Sequence, residues 1–241
     1  MSLFARNATV VLVHGAWADG SCWRKTILPL RREGLDVTCA PIPLTSLSED
    51  IAAVQRVLER IDGPVLLAGH AYGGAVIAGP ADSRVRSLAY VAALAPAEGE
   101  TVADVFYRAR PHPEAPKLAP DGHGFIWMPA GGFAHAVAHR ASRDETTILE
   151  AVQRPIALKC IQEKGPVPAW KTKPSWFLLA QEDRMIAPDT QRYMAERMGA
   201  RMRAHDVDHS PMYTAPEVVV GVILEAARET LAAEAGMGHA K

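Results

Sequence analysis

Thr9-Val10-Val11-Leu12-Val13 is an unbroken apolar, β-branched run that stops at His14-Gly15. A strand with one wet face alternates apolar and polar residues. A run without alternation is buried on both faces, as in a parallel sheet covered by helices. Further strand-like runs occupy Leu35–Ala40, Val65–Ala68, Val85–Ala92, Ser175–Ala180 and, in shorter form, Arg201–Val207. Helical spacing fills the gaps. Ser21–Arg32 is predicted as a helix capped by Ser21, with Ile27, Leu28 and Leu30 on its buried side and Gly34 ending it. Ser48–Ile61 carries apolar residues at 51, 54, 57, 58 and 61, with Ser48, Glu49 and Asp50 suiting its N-terminal end. Tyr72–Gly79, Pro188–Met198 and Pro216–Ala233 complete the series, and the Gly236–Lys241 tail is expected to fray. The alternation predicts an α/β fold: a doubly wound, mostly parallel sheet of about six strands with helices on both faces.

The pattern lapses from residue 96 to 173, where prolines 111, 113, 116 and 120 cluster. Short helical pieces are expected near Val102–Arg108, Phe133–Ala141 and Glu145–Ala151, and no strand. Ordered loops of such length are rare, so this stretch is expected to be an inserted helical cap. The division is then a core of residues 1–95 and 174–241 with a cap of 96–173.

Charge excludes some functions. Lys and Arg number 26 against 27 Asp and Glu, which leaves no strongly basic surface for nucleic acid. No apolar run nears the ~18 residues of a membrane span, and no secretory h-region with a basic flank opens the chain. Cys22, Cys39 and Cys160 are odd in number and far apart, as expected of reduced thiols in a cytoplasmic protein. The nine histidines show no metal-ligand spacing, and the glycines form neither a phosphate loop nor a dinucleotide fingerprint. No metal or organic cofactor is expected.

Ligands of open parallel sheets bind at the carboxyl ends of the strands. The residues there are His14–Trp17, Gly69–Gly73, Ala93–Pro96, Gln181–Arg184 and Asp206–His209. Gly69-His70-Ala71-Tyr72-Gly73-Gly74 follows a strand and opens a helix. It resembles the Gly-x-Ser-x-Gly nucleophile elbow of the α/β-hydrolase fold family at every position but the nucleophile, which is Ala71. His14-Gly15-Ala16-Trp17 is similar to that family's oxyanion loop. Asp183 and then His209 follow later strands in the family's order of nucleophile, acid and base. The short N-terminus resembles the small esterase and hydroxynitrile-lyase branch. The resemblance covers roughly residues 8–96 and 174–232.

It implies that Asp183 orients His209, that the Ala16 and Tyr72 N–H groups stabilise an oxyanion, and that residue 71 sits at positive φ. It also implies a small, largely apolar carboxylic ester or related carbonyl compound as the ligand. Trp17 and Trp127 are candidates for lining an apolar pocket, with packing in the core or at the cap interface as their plainer reading. Ala71 has no atom that can attack a carbonyl. Three readings stay open: a serine replaced by alanine so that substrate is trapped, a small-molecule binding protein without turnover, and a His209–Asp183 general base of lyase type. A β-carbon at positive φ fits best with an elbow built for serine.

Competing residues have plainer roles. Asp206 is the second candidate acid, while Asp208 neighbours the base and should point elsewhere. His14 and His70 are expected to pack near the site without catalytic duty. Cys22 has no base beside it and reads as a buried thiol, and Ser21 and Ser210 lie off the elbow. A homodimer is left open.

Overall fold

The computed structural model describes residues 3–233; the Gly236–Lys241 tail lies outside them. The chain begins with β1 (Thr9–Val13), buried at all five positions, and α1 (Arg24–Arg32). Next come β2 (Asp36–Ala40), α2 (Leu47–Leu58), β3 (Val65–His70), α3 (Gly73–Ile77) and β4 (Val85–Val91). The segment from 96 to 173 contributes α4 (Val102–Phe106), a strand pair β5 (Phe125–Ile126) and β6 (Ile156–Ala157), α5 (Arg143–Val152) and α6 (Leu158–Gln162). The main pattern resumes with β7 (Ser175–Ala180), α7 (Pro188–Arg197) and β8 (Arg201–His205), and closes with α8 (Pro211–Thr214) and α9 (Pro216–Thr230).

Six strands form one sheet in the order β2-β1-β3-β4-β7-β8, and every neighbouring pair is parallel. This is the mostly parallel six-stranded sheet anticipated from the apolar runs. β3 and β7 are buried along their whole length because they lie inside the sheet; β2 and β8, at its edges, are half-exposed. Helices α1 and α9 pack together, with α9 lying on β3, β4 and β7. Helices α2 and α3 pack against each other, and α7 packs on β7.

Several local expectations are corrected. Asp19, rather than Ser21, caps the first helical turn; its carboxylate accepts the Ser21 N–H at 2.7 Å. That turn is a 3-10 segment, Gly20–Trp23, and in the helix that follows Thr26 and Leu30 are buried while Leu28 is 58% exposed. Helix α2 is capped by Ser46, whose hydroxyl accepts the Glu49 N–H, two residues before the expected Ser48. Between 96 and 173 the chain does form strand: β5 pairs with β6 antiparallel, but neither joins the main sheet. Two residues per strand leave no run to read in the sequence.

Candidate functional site

The site assembles at the carboxyl ends of β1, β3, β7 and β8. The β3–α3 turn is tight enough to need glycine. A Cβ on Gly69 would lie 2.5 Å from the Gly73 carbonyl oxygen, and one on Gly73 2.6 Å from that of Val13. Ala71, between them, has φ +48°. For a residue with a Cβ this costs roughly 1–3 kcal/mol and persists only when the surroundings over-determine it. They do so here. The Ala71 N–H donates to Val91, and its carbonyl accepts from Gly74 at 3.1 Å and Leu94 at 2.9 Å.

Asp183 and His209 meet 26 residues apart in sequence. The His209 Nδ1–H donates to Asp183 Oδ2 at 2.8 Å, and both residues are buried. A carboxylate only accepts, so this bond places a proton on Nδ1, and in the neutral ring Nε2 then carries the lone pair. Asp183 is itself held by the Met185 and Ile186 N–H groups on Oδ1 and by the Gln191 amide on Oδ2. The competing acids are engaged elsewhere. Asp206 accepts from the Gln181 side chain, and Asp208 from the Arg140 N–H and the Thr214 hydroxyl.

Two further histidines support the floor of the site. His70 donates through Nε2 to the His209 carbonyl at 2.8 Å, and the two rings lie 4.8 Å apart. Burial holds His70 far below the usual imidazole range, so it remains neutral and adds no charge beside His209. His14, fully buried, donates through Nδ1 to the Gly15 carbonyl, and burial lowers it to about 4. Among the described residues, neither the Ala16 nor the Tyr72 backbone N–H has an acceptor within the chain. Two such free donors beside one cavity suit a developing oxyanion.

That cavity has a volume of about 270 Å³. Ala16, Trp17, Ala71, Tyr72 and His209 form its base; α4, β5 and α6 supply apolar walls such as Phe106, Ile126 and Ile161. No Asp, Glu, Lys or Arg lines it. Trp17 stands at the cavity. Trp127 stands apart: it is about half exposed, donates its indole N–H to Asp121, and is not among the lining residues. Its neighbour Ile126 faces the cavity instead, and strand alternation turns the next residue outward. Cys22 is fully buried, and desolvation pushes its thiol well above the ordinary range, which makes it inert.

Three supports hold the site in partnerships that the sequence reading did not name. Gln191 on α7 holds Asp183, His70 holds the His209 backbone, and Asp50 on α2 receives the Tyr72 hydroxyl at 2.6 Å. Two left a trace: His70, expected to pack near the site, and Asp50, a carboxylate in a helical first turn that turns out fully buried.

The alpha/beta hydrolase family matches residues 10–222. A carbendazim-hydrolysing esterase of Nocardioides sp. (strain SG-4G) is 34% identical over 121 residues. That match takes in 43% of this chain and 49% of the esterase, so the chain spans about half of that relative's length. Methylesterase 2 of Arabidopsis thaliana is 23% identical over 91% of this chain and 95% of its own. Tomato methylketone synthase I, solved in complex with beta-ketoheptanoate, superposes with a TM-score of 0.79 over 93% of this chain and 99% of that one. At 16% identity this last likeness speaks for the fold alone.

Proposed function

The chain belongs to the alpha/beta hydrolase family, and from that premise we propose that its site binds small, largely apolar carboxylic esters and related carbonyl compounds. With Ala71 at the nucleophile position, the protein does not form the acyl-enzyme through which the family's serine works. One observation carries this reading: the Asp183–His209 pair and two free amide donors surround a positive-φ residue that has no reactive atom. The uncharged cavity beside them suits a neutral ligand. Residues 96–173 act as the cap over it. The three cysteines are unpaired, which agrees with a reducing, cytoplasmic setting. Among the described residues no helix is long and apolar enough to cross a membrane.

The chemistry of a serine at 71 follows from the placement. His209 Nε2 would take the hydroxyl proton, the oxygen would add to the ester carbonyl, and the Ala16 and Tyr72 amides would hold the oxyanion. Protonated His209 would then return the proton to the departing alcohol, and water would release the acid by the same route. Removing such a serine costs about 10^6 in turnover. Ala71→Ser is therefore expected to create ester hydrolysis in one step, at least 10^3-fold above the unmodified chain on short-chain aryl esters. His209→Ala in the serine form should abolish it. A folded Ala71→Ser protein that stays silent on a broad ester panel would sink the reading.

A second reading has its own support. The methyl group of Ala71 leaves the His209 Nε2 lone pair without a hydroxyl to serve, next to donors that would hold an enolate oxygen as well as a tetrahedral one. A fold relative binds beta-ketoheptanoate. His209 Nε2 would take the carboxyl proton of a β-keto acid, loss of carbon dioxide would leave the bonding pair in an enolate, and His209 would return that proton to carbon, giving a ketone. If the unmodified chain consumes β-keto acids and His209→Ala stops it, this reading replaces the first.

A further inference from the structure

The space beside Ala71 is divided. The large cavity lies under α4 and α6; a second, of about 30 Å³, lies towards Cys22, Phe133, Leu149 and Met212. Four residues line both: Ala16, Trp17, Ala71 and His209. Three of these are the amide donor, the elbow residue and the imidazole already described. The fourth, Trp17, is the one bulky side chain at the boundary with no part in that chemistry.

Trp17 is fixed in place from two directions. Its backbone has φ +59°, a region where a large side chain is an outlier. Its indole N–H donates to the Ile126 carbonyl on β5 at 2.9 Å, a contact 109 residues away in sequence. Ile126 itself forms part of the large cavity wall. The indole thus spans from the oxyanion loop to the 96–173 segment, and it follows directly on Ala16.

We propose that Trp17 is a specificity-determining partition, and that the ligand is a neutral carbonyl compound with unequal substituents. The carbonyl lies at Ala71. A bulky apolar group occupies the large cavity, and an apolar group of one or two carbons occupies the small one, which is about a ninth of its volume. The indole prevents a second bulky group from being seated. This inference rests on the ester-binding reading above and deepens it.

The test is equilibrium binding, read by calorimetry on the chain as it stands. Three probes suffice: methyl naphthoate and naphthyl acetate, each with one small side, and benzyl naphthoate, bulky on both sides. At least one of the first two is expected to bind tenfold or more tightly than the third. Trp17→Ala should bring that ratio close to one by gaining affinity for benzyl naphthoate. Trp17→Phe, which retains a ring but no indole N–H, should keep most of the ratio. Equal affinities in the unmodified chain, no binding of any probe, or an unchanged ratio in folded Trp17→Ala would each overturn the partition. Should Trp17→Ala fail to fold, Trp17→Leu and the ratio in the unmodified chain decide the matter. Because binding needs no turnover, a silent Ala71→Ser leaves this result standing. A lost size ratio likewise leaves the hydrolase reading untouched.

Discussion

At residue 71 the backbone holds a conformation from which the side chain gains nothing. A serine oxygen would be presented above the sheet by that φ of +48°; alanine presents a methyl group there. Glycine adopts positive φ freely, though its unfolded state is more flexible. Ala71→Gly is therefore expected to stabilise the protein by about 1 kcal/mol, or ~2–4 °C in Tm for a domain of this size. A melting temperature that falls instead would show that the elbow stores no strain. Asp183 is the other residue whose environment fixes its use. It accepts four hydrogen bonds while fully buried, so Asp183→Ala strands two backbone N–H groups, Gln191 and His209 together. In the Ala71→Ser background Asp183→Asn should lower kcat by about 10^4, since an amide in place of the carboxylate favours the wrong His209 tautomer. The steady-state rate on an aryl ester measures this.

Among the elements, α2 is tied to the site through a single side chain. Its first turn places Asp50 under the elbow, where Oδ2 accepts the Tyr72 hydroxyl at 2.6 Å and Oδ1 the Leu44 N–H at 2.7 Å. Burial pushes the Asp50 carboxyl up against the opposing pull of those bonds. Leu44 is also at positive φ, and its carbonyl accepts from Ala157 on β6. One carboxylate thus ties α2, the elbow and the 96–173 segment together. Asp50→Ala leaves a buried hydroxyl and a buried N–H unpaired and is expected to cost about 2–4 kcal/mol in urea unfolding. Asp50→Asn still offers an oxygen to Leu44 and should cost less, about 1 kcal/mol. Equal losses for the two variants would mean that volume, rather than hydrogen bonding, is what Asp50 supplies.

Stability of the whole molecule depends on pH through the histidines under the site. His14 is fully buried and titrates near 4 when folded, against about 6.5 in the unfolded chain. Below pH 6.5 the unfolded chain takes up a proton that the native one refuses, so stability falls as pH drops towards 4. His70, held far below its usual range by burial, acts in the same direction. Between pH 7 and pH 5, His14 alone should cost ~2 kcal/mol of unfolding free energy. Urea midpoints at the two pH values test this, and a stability unchanged over that interval would mean the two rings are solvated or paired in the native state.

The sequence by itself determined the sheet, the elbow and the order of the candidate residues. An unbroken, mostly β-branched apolar run suits a strand covered on both faces, as in a parallel sheet, and Gly69 and Gly73 are demanded by contacts across one tight turn. These are constraints that neighbours in the chain impose on one another. Tertiary structure decided which side chains meet. Asp183 rather than Asp206 reaches His209, Trp17 rather than Trp127 reaches the cavity, Gln191 and Asp50 join the site from helices that no local pattern connects to it, and His70, on the elbow itself, finds its partner in the His209 carbonyl 139 residues away. The division of the cavity depends on an indole finding a carbonyl 109 residues away. Such partners are fixed by the relative placement of packed elements, which short-range periodicity does not encode.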